Sequence, residues 1–188
     1  DSKVEILTYS CSNQNASIYA ENLEPSANGF SATINTPLGS GQIAGPLLGA
    51  FNFSNLLAVA AAILAYPGHK KPLLFEELRR QLSALKPVKG CMELIGMEAD
   101  IKAVMDYAHT PDGLRSALVA LRQHFIGRIW GLFGCGRNRD RGKRPLMGEM
   151  AEQYADRLII SDDNPRHENG DEIVQHIFAV ALAAARRS

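Results

Sequence analysis

Short apolar segments alternate with amphipathic helical segments throughout the second half of the sequence, and this alternation constrains the fold more than any other feature. Strands are predicted at 128–133 and 157–161, and helices at 111–125, 145–155 and 171–186. Strands and helices in alternation build parallel βαβ units. We therefore predict an α/β fold with a parallel sheet in this half of the chain.

The first half of the sequence has a different pattern. Four short segments rich in β-branched and aromatic residues, separated by Asn, Ser, Pro and Gly, predict successive strands at 4–9, 17–22, 30–36 and 41–48. An Ala- and Leu-rich run then predicts a largely buried helix, followed by an amphipathic helix and two short strands, at 51–65, 73–85, 92–97 and 102–107. Because successive strands give way to strand–helix alternation, we place a domain junction at 106–111.

The composition argues against a nucleic-acid-binding, a membrane-spanning and a disulfide-rich protein. The 20 Lys and Arg residues balance the 20 Asp and Glu residues, so no overall charge attracts nucleic acid or membrane, and neither is expected as a partner. The longest apolar run, 56–66, is far shorter than the roughly 20 residues that span a bilayer. The three cysteines, Cys11, Cys91 and Cys135, match neither a disulfide framework nor a zinc site. We expect a cytoplasmic protein.

A basic, glycine-rich loop at 134–144 lies between a predicted strand and a predicted helix. It contains five Lys or Arg residues and one Asp, a local excess of four positive charges. Glycines allow close backbone approach, a helix N-terminus offers unpaired N–H groups, and guanidinium groups match carboxylate or phosphate geometry. The loop is therefore predicted to bind an anion. The alternative is an ordinary solvated basic loop.

A second polar loop, 161–166, also lies between a predicted strand and a helix. In a parallel sheet it should emerge at the same edge as the basic loop, where α/β proteins bind their ligands. Asp163, Asn164 and Arg166 offer carboxylate, amide and guanidinium groups, which suit a zwitterion that carries ammonium and carboxylate groups. The alternative is a turn in which Asp and Asn cap the backbone and Pro165 stiffens it.

Two weaker candidates lie elsewhere in the chain. The segment 106–112 contains His109 and two aspartates, which could serve a metal or a general base, although a linker with a capped helix start explains them equally well. Asn52 and Asn55, three residues apart at a predicted helix start, fit a helix cap as easily as a ligand site.

Four motifs resemble those of the Mur ligase family and stand in that family's usual order. They read GAFNFSNLL at 49–57, DYAHTPD at 106–112, FGCGRNRDRGKRPLM at 133–147 and DNPR at 163–166. The resemblance extends from about residue 38 to residue 177. It implies that 1–105 is the end of a central ATPase domain and that 106–188 is the start of a Rossmann-like domain that binds an amino acid, both domains being incomplete.

The resemblance also implies an activity. Mur ligases use ATP and magnesium ions to form an amide bond: a substrate carboxylate becomes an acyl phosphate, which the amine of an amino acid then attacks. The DNPR motif is similar to that of the family members that add meso-diaminopimelate to UDP-MurNAc-L-Ala-D-Glu in peptidoglycan synthesis. The resemblance therefore implies an enzyme with these two substrates. We also expect a cytoplasmic monomer, and no residue is assigned as a metal ligand.

The same resemblance assigns site residues. Those expected to bind diaminopimelate lie in the two loops and are Arg139, Asp163, Asn164, Pro165 and Arg166. Arg166 would clamp the distal carboxylate of the amino acid. The residues expected near the nucleotide and the domain hinge are Asn52, Asn55, Asp106 and His109.

The sequence departs from the family pattern at several points. It contains no G-x-x-x-x-G-K-[ST] phosphate loop, no preceding domain for the uridine nucleotide and no Gly-Lys-Gly-His-Glu segment, so both ends are expected to be cut. Cys91 stands where the family has arginine, and Arg137 where glycine is usual. Because little remains to stabilise charge on a transferring phosphoryl group, we expect the isolated chain to form no amide bond. The alternative function is that of a non-catalytic remnant with a carboxylate or amino-acid pocket.

Overall fold

A computed structural model of the chain describes residues 6–96, 100–136, 141–165 and 167–185, and side chains as far as residue 179. The chain divides into two compact units, Asp1–Met105 and Asp106–Ser188. Both units contain helices and strands. The α/β class predicted from the sequence is confirmed.

The first unit is built on a four-stranded sheet, whose strands are β1 (Tyr9–Ser10), β2 (Ile18–Ser26), β3 (Gly29–Thr36) and β4 (Gly39–Gly45). β2, β3 and β4 form an antiparallel meander, as predicted, and β1 pairs with β2 in parallel. The turn between β2 and β3 requires glycine, because a Cβ atom at Gly29 would overlap the carbonyl oxygen of Gly45, and φ there is +133°.

The first and fourth predicted strands differ most from what the sequence indicates. Within its described part, the strand predicted at 4–9 is wrong except at Tyr9, where pairing with Ile18 begins. Thr8 instead donates its backbone N–H to the hydroxyl of Ser17 at 3.2 Å. β4 ends at Gly45 rather than at residue 48, since the next residue, Pro46, has no N–H to continue the ladder.

Two helices complete the core of this unit: α1 (Ala50–Ala65) and α2 (Phe75–Ser83). The rings of Phe30 on β3 and Phe53 on α1 meet edge to face, with centroids 4.8 Å apart. Each buried Leu, Ile or Phe side chain contributes about 1.5–3 kcal/mol to folding. Apolar burial therefore holds α1 and α2 on the sheet, through a cluster that includes Ile18, Ile34, Phe53, Leu57, Leu78 and Leu82. After α2, β5 (Glu93–Ile95) and β6 (Ala103–Met105) form an antiparallel pair.

The second unit alternates helices and strands in the order α3 (Pro111–His124), β7 (Trp130–Cys135), α4 (Lys143–Tyr154), β8 (Arg157–Asp162) and α5 (Gly170–Ala185). β7 and β8 pair in parallel, so the predicted βαβ arrangement is confirmed. Their apolar side chains pack with the helices in a second buried cluster that includes Leu114, Leu118, Ile129, Met147, Ile173 and Ile177. Within the described ranges, no helix is long and apolar enough to cross a membrane.

Candidate functional site

The carboxyl ends of β7 and β8 lie side by side. The register pairs Gly134 with Ser161 and Cys135 with Asp162. The chain therefore leaves both strands at the same edge of the sheet, and the expectation that the two polar loops emerge together is confirmed. Ligands of α/β proteins bind at this edge because the loops there can vary while the sheet beneath stays fixed.

Immediately beyond the strands, the two loops touch through their backbones. A Cβ atom at Gly136 would overlap the carbonyl oxygen of Asp163, and one at Gly134 would lie 2.7 Å from the carbonyl oxygen of Ser161. Real Cβ atoms do not approach oxygen so closely. The glycines of the basic loop thus allow it to lie directly against the second loop.

The second loop makes a tight turn that exposes two of its polar side chains. Asn164 has φ +52°, in the left-handed region that asparagine tolerates better than most residues. Asp163 and Asn164 are both exposed, whereas Pro165 is half-buried and its carbonyl oxygen accepts the backbone N–H of Glu168 at 3.0 Å. The carboxylate of Asp163 and the amide of Asn164 are therefore accessible to a ligand.

Three arginines of the predicted site lie outside the described residues: Arg137, Arg139 and Arg166. That Arg139 and Arg166 bind one amino acid together stays a prediction.

An ion pair that sequence reasoning missed joins α4 to the second loop. The side chain of Arg144 is fully buried, and its Nη1 and Nη2 atoms donate to the Oε2 and Oε1 atoms of Glu168 at 3.0 and 3.1 Å. Arg144 Nη1 also lies 3.3 Å from Nδ1 of His176, which accepts only when that nitrogen carries no proton. A bidentate fork of this kind fixes both distance and orientation.

These contacts favour the ionised form of Glu168. Hydrogen bonds from Arg144, aided by the charges of Arg144 and Arg141, hold the pKa of Glu168 below its usual value of 4.5. Arg141 Nη2 is 3.5 Å from Oε2 of Glu168. The Glu168 carboxylate therefore contacts two positively charged side chains, Arg141 from the basic loop and Arg144 from α4.

These contacts correct the expected charge of the basic loop. Of its five basic residues, Arg141 and Arg144 contact Glu168, and Lys143 donates from Nζ to the carbonyl oxygen of His109 at 2.9 Å. The full excess of four charges is thus not available to a ligand. No local pattern signalled this pairing, because Glu168 stands 24 residues after Arg144 and lies outside both predicted loops.

The segment 106–112 has the contacts of a capped helix start. Thr110 is the N-cap of α3, and its hydroxyl accepts the backbone N–H of Gly113 at 3.1 Å, with Pro111 in the first turn. Nδ1 of His109 is 3.1 Å from the carbonyl oxygen of Tyr107. Among the described residues, no three His, Cys, Asp or Glu side chains form a group that could hold a metal ion.

Asn52 and Asn55 lie in the first turns of α1 but in different environments. The N-cap of α1 is Gly49, so the proposed cap by either asparagine is wrong. Asn52 is buried and donates from Nδ2 to the carbonyl oxygen of Leu48 at 2.9 Å, while its Oδ1 is 3.9 Å from the thiol sulfur of Cys91. Asn55 is exposed.

Comparison with known proteins assigns the chain to a family. The profile of the glutamate ligase domain of Mur ligases matches residues 90–187, just over half of the chain, and that of the Mur ligase middle domain matches residues 1–63. The chain belongs to the Mur ligase family. Mur ligases are ATP-dependent enzymes, and the resemblance found in the motifs is confirmed.

The chain is also similar to individual Mur ligases in sequence and in structure. UDP-N-acetylmuramoyl-L-alanyl-D-glutamate--2,6-diaminopimelate ligase of Alkalilimnicola ehrlichii is 46% identical over 162 residues, which cover 86% of this chain and 32% of that enzyme. A solved structure of a ligase with the same name superposes with a TM-score of 0.62 at 36% identity, covering 93% of this chain and 34% of the other.

A more distant Mur ligase shares the fold alone. UDP-N-acetylmuramate-alanine ligase MurC from Thermotoga maritima has a TM-score of 0.70 at 18% identity, covering 95% of this chain and 37% of that one. The chain thus spans about a third of the length of the relatives it matches.

Proposed function

We propose that this chain forms part of an ATP-dependent ligase that joins meso-diaminopimelate to UDP-MurNAc-L-Ala-D-Glu through an acyl phosphate, and that the loops after β7 and β8 hold the incoming amino acid. The observation that carries the proposal is the backbone contact between Gly136 and Asp163. It brings together two loops with acidic, amide and basic groups, in a chain that is 46% identical to a ligase named for diaminopimelate.

The chemistry of the ligand supports this use of the loops. meso-Diaminopimelate has an ammonium and a carboxylate group at each end. The exposed carboxylate of Asp163 and amide of Asn164 suit an ammonium group. Arg139 and Arg166 would each match a carboxylate, and Arg166 would distinguish diaminopimelate from lysine, which has no distal carboxylate.

The described residues do not by themselves fit the ATP and Mg²⁺ that the family implies. Among them, no three acidic, His or Cys side chains form a group that could hold a metal ion. Asn52 and His109 already contact the backbone carbonyl oxygens of Leu48 and Tyr107, and Asn55 is exposed. We therefore assign this chain the amino-acid-binding part of the reaction and derive no step through the nucleotide.

The remaining properties of the ligase belong to the same proposal. The balanced charge and the three widely spaced cysteines are typical of a cytoplasmic enzyme that works in a reducing compartment. We propose that it acts there as a monomer, with neither nucleic acid nor membrane as a partner.

Calorimetry of the 188-residue chain with meso-diaminopimelate and with L-lysine tests the proposal. We expect saturable binding of meso-diaminopimelate and much weaker binding of L-lysine. Arg166→Ala should weaken meso-diaminopimelate binding by roughly 10- to 100-fold, the value of a charge-assisted hydrogen bond, and should leave lysine binding unchanged.

Arg157→Ala is the matched control. Arg157 is an exposed arginine at the amino end of β8, the end opposite the loops. Its removal changes the net charge by the same amount and should not alter the affinity. The proposal fails if the unsubstituted chain shows no saturable heat with meso-diaminopimelate, or if both variants lose affinity equally.

A further inference from the structure

The amino-acid loop after β8 is held by a buried charge from another element. Arg144, in the first turn of α4, donates both terminal nitrogens of its guanidinium group to Glu168, which lies 24 residues further along the chain. Arg144 is fully buried, and the Glu168 side chain is 8% exposed. The pair is therefore largely shielded from solvent.

Glu168 in turn holds the backbone of the predicted binding loop. Its own N–H donates to the carbonyl oxygen of Pro165 at 3.0 Å. On its other side, the loop rests on Gly136 through the carbonyl oxygen of Asp163. The turn that presents Asp163 and Asn164 is thus fixed at two points, one on the basic loop and one on α4.

Stability alone does not account for such a pair. Taking two charges out of water costs about as much as their attraction returns, so apolar residues of similar volume would stabilise the unit as well or better. In addition, Nε of Arg144 is buried and has no hydrogen-bond partner among the described residues. A buried donor without a partner lowers the stability of the folded state. The pair is therefore better explained by a role in orienting the loop than by a gain in stability.

We propose that Arg144 and Glu168 are positioning residues for the amino-acid site: they hold the 163–165 turn against Gly136 in the conformation that receives the substrate, and Arg144 itself does not contact the substrate. Arg141, 3.5 Å from the same carboxylate and more than half exposed, joins the basic loop to this anchor. The proposal rests on the proposed function for its ligand but not for its geometry.

The Arg144→Lys variant tests the proposal, because lysine keeps the charge and loses the two-pronged geometry. The Glu168 amide is the probe of the turn, since its N–H is the donor to Pro165. We expect hydrogen exchange at this amide, measured by NMR, to accelerate at least tenfold in Arg144→Lys. The Kd for meso-diaminopimelate should rise by roughly 10- to 100-fold, the effect of losing one charge-assisted hydrogen bond to the ligand.

Arg122→Lys is the matched control. Arg122 forms a second short ion pair of this unit, to Asp156 at 2.7 Å, at the amino ends of β7 and β8. The identical substitution there should lower the melting temperature without changing either the Glu168 amide or the Kd. Glu168→Gln is the second variant, because it keeps the side-chain shape and removes the charge. If Arg144→Lys does not fold, Glu168→Gln still tests whether the ion pair positions the turn.

The possible results separate the two proposals. If Glu168 amide exchange and Kd in Arg144→Lys and Glu168→Gln equal those of Arg122→Lys, the positioning role is wrong. If the unsubstituted chain binds no meso-diaminopimelate while the Glu168 amide loses protection only in the Arg144 and Glu168 variants, the proposed function is wrong and the positioning of the turn stands.

Discussion

The carboxylate of Asp156 accepts a hydrogen bond from the guanidinium group of Arg122 at 2.7 Å. The same oxygen, Oδ2, accepts the backbone N–H of Ile129, also at 2.7 Å. Because Ile129 and Asp156 immediately precede β7 and β8, this carboxylate joins the two strands to the end of α3. It therefore fixes the amino ends of the strands whose carboxyl ends form the candidate site.

The first prediction concerns the pH dependence of stability at Asp156. The N–H of Ile129, and next the hydrogen bond from Arg122, hold the pKa of Asp156 below its usual value of 3.8. A carboxyl whose pKa is lower when folded stabilises the protein above its unfolded pKa and loses that contribution as the pH falls through the folded pKa. Asp156→Asn should therefore melt at a lower temperature than the unsubstituted chain at pH 7, and the difference should shrink below pH 3.8.

Thermal melts of both proteins at a series of pH values measure this difference. Asp112→Asn is the control, because Asp112 is exposed and its contact with Arg115 is 3.8 Å long. A constant difference between Asp156→Asn and the unsubstituted chain down to the acid transition would contradict the prediction.

The second prediction concerns the contact between the two loops. Gly136→Ala should force the basic loop away from Asp163, because the added methyl group would overlap the Asp163 carbonyl oxygen. We expect a loss of about 1–3 kcal/mol in stability, typical of overpacking, and weaker binding of meso-diaminopimelate. Chemical denaturation and calorimetry measure the two effects.

Gly127→Ala is the control for Gly136→Ala. A Cβ atom at Gly127 meets nothing within 4 Å, so this variant should keep both stability and binding. Equal stability and equal affinity in the two variants would contradict the prediction, because the contact between the loops would then contribute to neither.

The third prediction concerns the contact between α4 and α5. Alanine is normally the better helix former by about 1 kcal/mol, yet a Cβ atom at Gly148 would overlap the carbonyl oxygen of Ile177. Gly148→Ala should therefore destabilise the second unit by about 1–3 kcal/mol despite its helix propensity. Glu149→Ala, at the exposed neighbouring position, is the control and should stay within about 0.5 kcal/mol in urea unfolding.

The fourth prediction concerns the core of the first unit. Phe53→Ala removes a fully buried ring and its edge-to-face contact with Phe30, and should cost about 3–5 kcal/mol. Val59→Ala, on the same helix at a position that is 40% exposed, should cost less than about 1 kcal/mol. Urea unfolding followed by circular dichroism measures both, and similar costs would mean that α1 packs differently.

The periodic segments of this chain could be predicted closely from sequence. α1, α3 and β8 begin within one residue of their predicted starts, because a long Ala- and Leu-rich run, a Thr-Pro helix start and a β-branched segment are strong local signals. β1 could not be predicted in its true extent. A two-residue strand is defined by its pairing with β2 and not by its own pattern.

The candidate site could be predicted only in part. Loop positions follow from strand–helix alternation, so the common edge of the two loops was accessible from sequence. The burial of Arg144 was not, because arginine is normally exposed and its partner lies 24 residues away. The approach of Gly136 to Asp163 likewise depends on strand register, which no local pattern specifies.

Two ion pairs of the second unit lie at opposite ends of the same βαβ element. Arg122 and Asp156 close it at the amino ends of the strands, and Arg144 and Glu168 close it at the carboxyl ends. Opening either end of this element would break an ion pair. We therefore expect β7, α4 and β8 to unfold and refold together as one cooperative unit. If the loops bind the amino acid as proposed, heating or limited digestion should then remove that binding in one step. No partly opened form with intermediate affinity should be observed.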